Sequence, residues 1–228
     1  SHMFGASGFN QDVSNWDVSQ GTDFSGMFSN GSSFNQDLSN WDVSSGTNFG
    51  AMFWNNSTFN QNIGSWDVSK GTNFGMMFQG ASAFNQDISN WDVSSGTLFD
   101  SMFEGVSSFN QDLSNWDVSS GRNFSYMFQQ TGFNPNISNW NVGAGTDFDS
   151  MFYENTSFDR DISSWDVSSA ENFREMFKGA TNFNSNISNW DVSNANCFEN
   201  MFDGATSFNQ SIGTWDISNS QSMKYMFR

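Results

Sequence analysis

Carboxylates that could hold a cation recur at a fixed interval along this chain. Asp17, Asp42, Asp67, Asp92 and Asp117 stand 25 residues apart, Asn141 follows after 24, and Asp166, Asp191 and Asp216 resume the interval of 25. If neighbouring members lie about 5 Å apart, each pair repels by about 1 kcal/mol even in bulk water. The column therefore needs an offset: hydrogen bonds to serines such as Ser44, raised pKa values, or bound cations. Oxygen-only ligands in a chain of net charge −17 suit Ca2+ better than a transition metal. Any metal site would rest on this column alone. Beside the cation reading stands a solvated face whose Asp groups bond neighbouring Ser or backbone groups. A second acidic column, Asp12, Asp37, Asp87, Asp112 and Asp161, interchanges with Asn62, Asn136 and Asn186. An amide replaces a carboxylate there without loss, which points to an acceptor oxygen for a turn.

Other chemistries lack their parts. The single histidine, His2, falls in Ser1-His2-Met3, and residues 1–3 read as an expression-tag scar. Without a native histidine there is no base for a Ser-His-Asp or Cys-His site, and zinc lacks nitrogen ligands. Cys197 is the sole cysteine, so no internal disulfide framework exists. It takes a slot held by Asn172 in the preceding repeat. The paired carboxylates recur in every repeat, whereas an active site is a unique place; the chain reads as no enzyme. Seven basic residues against −17 exclude the electrostatic footprint of a nucleic-acid binder. No run approaches the roughly 20 apolar residues of a membrane span, so membrane insertion is not expected.

The elements that position these columns follow from the same period. Tryptophan recurs at positions 16, 41, 66, 91, 116, 140, 165, 190 and 215. All 27 phenylalanines fall into three columns of the same register, beginning at Phe9, Phe24 and, after methionine, Phe4. A period between 20 and 50 residues marks an array in which each repeat is one coil. Residues 4–228 thus read as a single solenoid domain of nine 25-residue repeats. Within Phe34–Thr58, Trp41 and Val43 alternate with Asn40, Asp42 and Ser44, which predicts a short parallel strand over Leu38–Ser44. Phe49, Met52 and Phe53 fall at i, i+3 and i+4, which predicts one short helical turn over Thr47–Phe53 with Thr47 as N-cap. Two residues past each Met-Phe pair, Asn30, Asn55, Gly80, Gly105, Gly179 and Gly204 are types that tolerate a left-handed backbone; Gln130 and Glu154 are not. The one-residue deletion between Phe128 and Phe133 falls in a turn.

The Trp, Val, Phe and Met columns are expected to fill the core. Trp54, Tyr126 and Tyr153 depart from their columns and are candidate exposed contact residues. Neither end shows a change to polar composition, so end-to-end self-association is expected.

Two features carry a family resemblance. The frame Leu38-x-x-Trp41-x-Val43-x-x-Gly46, continued by Phe49 and Met52, resembles a leucine-rich repeat with aromatics for leucines. The text from Phe84 to Ser95 resembles the 25-residue BspA-like repeat of mycoplasma-type surface lipoproteins, and the likeness covers essentially the whole chain. The resemblance implies a leucine-rich-repeat-like solenoid, an extracellular or cell-surface location, and an adhesive role toward a protein or polysaccharide ligand. It carries no catalytic residues. Two alternatives stand beside a non-catalytic adhesion scaffold: a calcium-binding repetitive stalk, and an ice- or polysaccharide-binding plate. One departure from the family is the frequent Gly-x-x-Phe pair, such as Gly46 with Phe49, where valine and methionine are usual.

Overall fold

A computed structural model describes residues 3–4 and 8–228; Ser1 and His2, on which the tag-scar reading rests, lie outside them. Each coil is built from tight turns. In the coil beginning at Phe34, backbone N–H groups close turns from Trp41 to Leu38 O (3.1 Å) and from Gly46 to Val43 O (2.7 Å). Three more follow in succession: Met52 to Phe49 O, Trp54 to Ala51 O and Asn56 to Phe53 O.

The expected strand and helical turn do not form. Among the described residues there is no helix, and β-pairing is confined to isolated parallel bridges such as Asn48↔Asn73 and Cys197↔Ser222. The leucine-rich-repeat-like solenoid of one strand and one helical turn per coil is therefore corrected to a stack of turn-closed coils. Two physical causes account for it. Ala51 sits at φ 56°, which interrupts any right-handed helix over Thr47–Phe53. The predicted strand is pinched between the turns at Leu38–Trp41 and Val43–Gly46, leaving only Trp41–Val43 between them. Its inside-outside alternation is real, since Trp41 and Val43 are buried and Asp42 is exposed.

What joins one coil to the next is a ladder from the turn ribbon. Phe49, Ala51, Phe53 and Asn55 donate their N–H groups to Asn73, Gly75, Met77 and Gln79 carbonyls at 2.7–2.9 Å. Alternate residues do this, and two of the four, Ala51 and Asn55, have positive φ. The left-handed conformation expected after each Met-Phe pair is found at Asn30, Asn55, Gly80 and Gly105, and Gln130 and Glu154 adopt it too. A second left-handed column runs through Gly26, Ala51, Met76, Ser101 and Tyr126 to Glu175 and Asn200. Such residues cost of order 1–2 kcal/mol each, and they persist because bonds on both sides fix the backbone.

On the other flank a side chain replaces the strand ladder. The Trp41 indole N–H donates to Val13 O, Trp66 to Leu38 O, Trp91 to Ile63 O, and the series continues to Trp215 on Ile187 O, all at 3.0–3.2 Å. These carbonyls already accept the turn N–H, so the indole satisfies their second lone pair inside the core. Trp41 to Trp190 are 3–4 % exposed, which assigns the tryptophan column to the core. Parallel indoles of Trp66, Trp91, Trp116 and Trp140 follow at 6.4–6.5 Å. Phe53, Phe78 and Phe103 stack beside them at 5.8–5.9 Å.

The Gly-x-x-Phe departure has a packing cause. A Cβ on Gly46 would lie 2.4 Å from Phe49 Cζ, and one on Gly71 equally close to Phe74 Cζ. The larger ring occupies the space that the missing side chain vacates. The deletion between Phe128 and Phe133 is absorbed by ring orientation: Phe109 and Phe133 meet edge-on at 68° where other members of that column stack.

Candidate functional site

The Asp column is built into turns. In Asp17, Asp42, Asp67, Asp92, Asp117, Asp166, Asp191 and Asp216, Oδ1 accepts the N–H of the serine two residues on, at 3.0–3.1 Å. Asn141 accepts from Gly143 in the same way at 3.1 Å, which explains why an amide is tolerated there. The hydroxyls of Ser19, Ser69 and Ser94 add a second bond. The serine hydroxyl, and then its N–H, hold Asp17, Asp42, Asp67, Asp117, Asp166 and Asp191 below the ordinary carboxylate pKa. At Asp216 the N–H leads. Hydrogen bonds thus hold each carboxylate of the column, and for these seven the pKa moves down, opposite to the rise that repulsion alone would give. No group of three or more His, Cys, Asp or Glu is poised to share a metal ion among the described residues.

The second acidic column serves the same end. Asp12, Asp37, Asp87, Asp112 and Asp161 accept the N–H of the residue two ahead at 2.9 Å. Asn62 and Asn186 do likewise. A third such column, Asn48, Asn73, Asn123, Asp147 and Asn172, lies at the parallel bridges.

The three candidate contact aromatics are half-buried in the turn ribbon. Two are drawn into one charged network. The Tyr126 hydroxyl donates to Asp149 Oδ2 (3.3 Å), and Arg174 faces the same oxygen at 3.6 Å. Glu175 bridges Arg174 to Lys178, whose ammonium stands 5.5 Å from the Tyr153 ring centroid. Trp54 lies four coils from Tyr153 in the same column, outside that network. No hydrogen bond or ion pair joins the three aromatics to the Asp column among the described residues.

A site the spacing does not announce opens in this third turn column, at the first place where it breaks. Leu98 replaces Asn or Asp and is 38 % exposed; Met76, in the left-handed column, is 41 % exposed. Both line a groove of about 350 Å³ that runs from Ser25 and Gly26 past Gly50 and Gly75 and is also lined by Asn48, Asn73 and Asp100. Neither Gly50 nor Gly75 has positive φ, so they are not needed for the backbone. A Cβ on Gly75 would fall 2.6 Å from Asp100 Oδ1, and one on Gly50 2.9 Å from Asn73 Nδ2. Glycine here admits the Asp100 carboxylate and the Asn73 amide, which lie over the two glycines at the side of the groove. Burial pushes the Asp100 carboxyl above its ordinary pKa.

Against this geometry stands one comparison. The family described as "Mycoplasma protein of unknown function, DUF285" matches over residues 1–78, 57–147 and 129–228. The chain belongs to this family. No curated protein matches it. As a DUF285 chain it is a mycoplasma-type repeat protein, and the three overlapping matches span all nine coils. Among the described residues no helix is long and apolar enough to cross a membrane. The signal that could have found the groove in this DUF285 chain was column departure, the same rule that selected Trp54, Tyr126 and Tyr153, applied to aliphatic Met76 and Leu98 as well.

Proposed function

We propose that this chain is a non-catalytic binding scaffold of a protein displayed at the cell surface or outside the cell, and that it binds its ligand through the groove over Gly50 and Gly75. The observation that carries the reading is the contrast between columns. Repeated Asp, Asn, Trp and Phe side chains are each engaged in holding one coil or joining two. The groove is where the pattern departs, with two exposed apolar side chains and a half-buried carboxyl together. The resemblance to BspA-like surface repeats supports the location, and the acidic, evenly polar exterior supports solubility there.

The test is an array of immobilised extracellular-matrix proteins and polysaccharides probed with the whole chain and with Gly50→Leu. Saturable binding that Gly50→Leu abolishes is expected, the variant remaining folded by near-UV circular dichroism at a lower melting temperature because the new side chain crowds Asn48 and Asn73. Binding that the substitution leaves untouched, or no saturable binding to any surface, would remove the groove reading.

A further inference from the structure

We propose that the groove receives an arginine side chain from a basic segment of a partner protein, its stem between Met76 and Leu98 and its guanidinium on Asp100. This rests on the binding-scaffold reading and names the chemistry of its ligand.

The molecule contains its own precedent. Asp149 occupies the same column two coils along from Asp100, also half-buried. There the fold supplies a cation, since Arg174 of the following coil faces Asp149 Oδ2 at 3.6 Å, and the Tyr126 and Ser150 hydroxyls complete the shell. At Asp100 the corresponding residue of the following coil is Ser125, and no cation faces the carboxylate among the described residues. Leu98 also removes the side-chain oxygen that elsewhere accepts the N–H two residues on. A half-buried carboxylate left this way is stabilised most by a charge-assisted donor brought from outside.

The surroundings select the donor. A net charge of −17 with seven Lys and Arg draws a basic partner rather than an acidic one. Exposed Met76 and Leu98 offer apolar contact to a long aliphatic stem. Arginine fits better than lysine because its planar, weakly hydrated head accepts partial burial and can engage both carboxylate oxygens. The volume of about 350 Å³ is at the small end of ligand pockets, the scale of one or two side chains.

The experiment measures fluorescence anisotropy of a labelled, end-blocked peptide Gly-Leu-Arg-Leu-Gly, and of its neutral citrulline counterpart, with the whole chain. Citrulline should bind about tenfold more weakly than arginine, and Asp100→Asn should weaken the arginine peptide by about the same factor. Asp216→Asn makes the same charge change in the exposed column and should alter binding by less than about twofold. Near-UV circular dichroism checks that each variant is folded. Equal losses in Asp100→Asn and Asp216→Asn would mean diffuse attraction to an acidic surface, and would overturn the arginine site. So would equal binding of the citrulline peptide, or no saturable binding. Should Gly50→Leu abolish array binding that Asp100→Asn leaves intact, the groove stands and the arginine assignment falls. If neither substitution affects array binding, both fall.

Discussion

The indole N–H of Trp91 donates to Ile63 O at 3.1 Å, and the same oxygen accepts the Trp66 backbone N–H at 3.1 Å. One carbonyl thus closes a turn in its own coil and ties down the next. Trp91→Phe keeps most of the buried ring but removes the tie, at a cost of about 1–2 kcal/mol. Trp91→Ala adds a cavity and should cost roughly 3–5 kcal/mol. Urea unfolding of the two variants separates the terms; a negligible loss in Trp91→Phe beside a full loss in Trp91→Ala would mean that the bond contributes nothing.

Stability should depend on the Asp columns in acid. A carboxylate whose folded pKa is depressed contributes stability above its unfolded value of about 3.9, lost as pH falls through the lower folded value. Asp42, Asp67 and Asp117 are of this kind, through the serine hydroxyls and N–H groups. Asp100 and Asp149 are raised by burial and act in reverse, gaining stability as pH falls through their raised values toward about 3.9. The melting temperature should therefore hold or rise slightly just above pH 4 and decline below it. Replacing Asp42, Asp67 and Asp117 together by Asn, the residue found at Asn141, should flatten the acid limb and lower neutral stability slightly, because the amide oxygen accepts the same N–H more weakly than the carboxylate. An unchanged acid limb would show that those turn bonds carry no linkage.

How much of this was legible in the residues themselves varies by column. The period places every Trp except Trp54 and every Phe, and the alternation Trp41-Asp42-Val43 gives the burial of Trp41 to Trp190 correctly. The helical turn was not legible, because Phe49, Met52 and Phe53 satisfy an i, i+3, i+4 pattern equally well in successive tight turns. Nothing about Ala51, Ser101 or Glu175 marks a left-handed residue; the inter-coil bonds impose it. The strand failed for a different reason. Period-two spacing describes which side a residue faces, not whether its backbone is paired, and here the indole does the pairing. The turn role of the second acidic column was legible because Asn62 and Asn186 stand in for Asp. The groove was not, because it depends on Gly50 and Gly75 lying side by side with Leu98 and Asp100.

Calcium tests whether hydrogen bonding alone offsets repulsion along the outer column. Because each Oδ1 is already held by a serine N–H, calcium and sodium at equal ionic strength should raise the melting temperature alike, by screening. A rise specific to calcium, reduced in Asp67→Asn with Asp92→Asn, would instead establish a cation site on the column.

Asn56 and Asn155 share a buried slot with opposite satisfaction. The Asn56 amide nitrogen has no hydrogen-bond partner among the described residues, while Asn155 Nδ2 donates to Phe133 O at 2.8 Å. Ala81, Ala180 and Ala205 take the slot in other coils. Asn56→Ala should be neutral or stabilising by up to about 1 kcal/mol, and Asn155→Ala should cost about 1–3 kcal/mol. Thermal melts that rank the two in the other order would contradict the assignment.

The central claim is that the repeated columns hold the coils together and are not themselves a binding face. Hydrogen exchange of the indole N–H groups, followed by NMR, tests it most directly. The indole protons of Trp41, Trp66, Trp91, Trp116, Trp140, Trp165, Trp190 and Trp215 should exchange slowly, each bonded to a buried carbonyl. Those of Trp16 and Trp54, which lie outside this bonding, should exchange fast. Fast exchange across the whole set would place the tryptophan column in solvent and contradict the account.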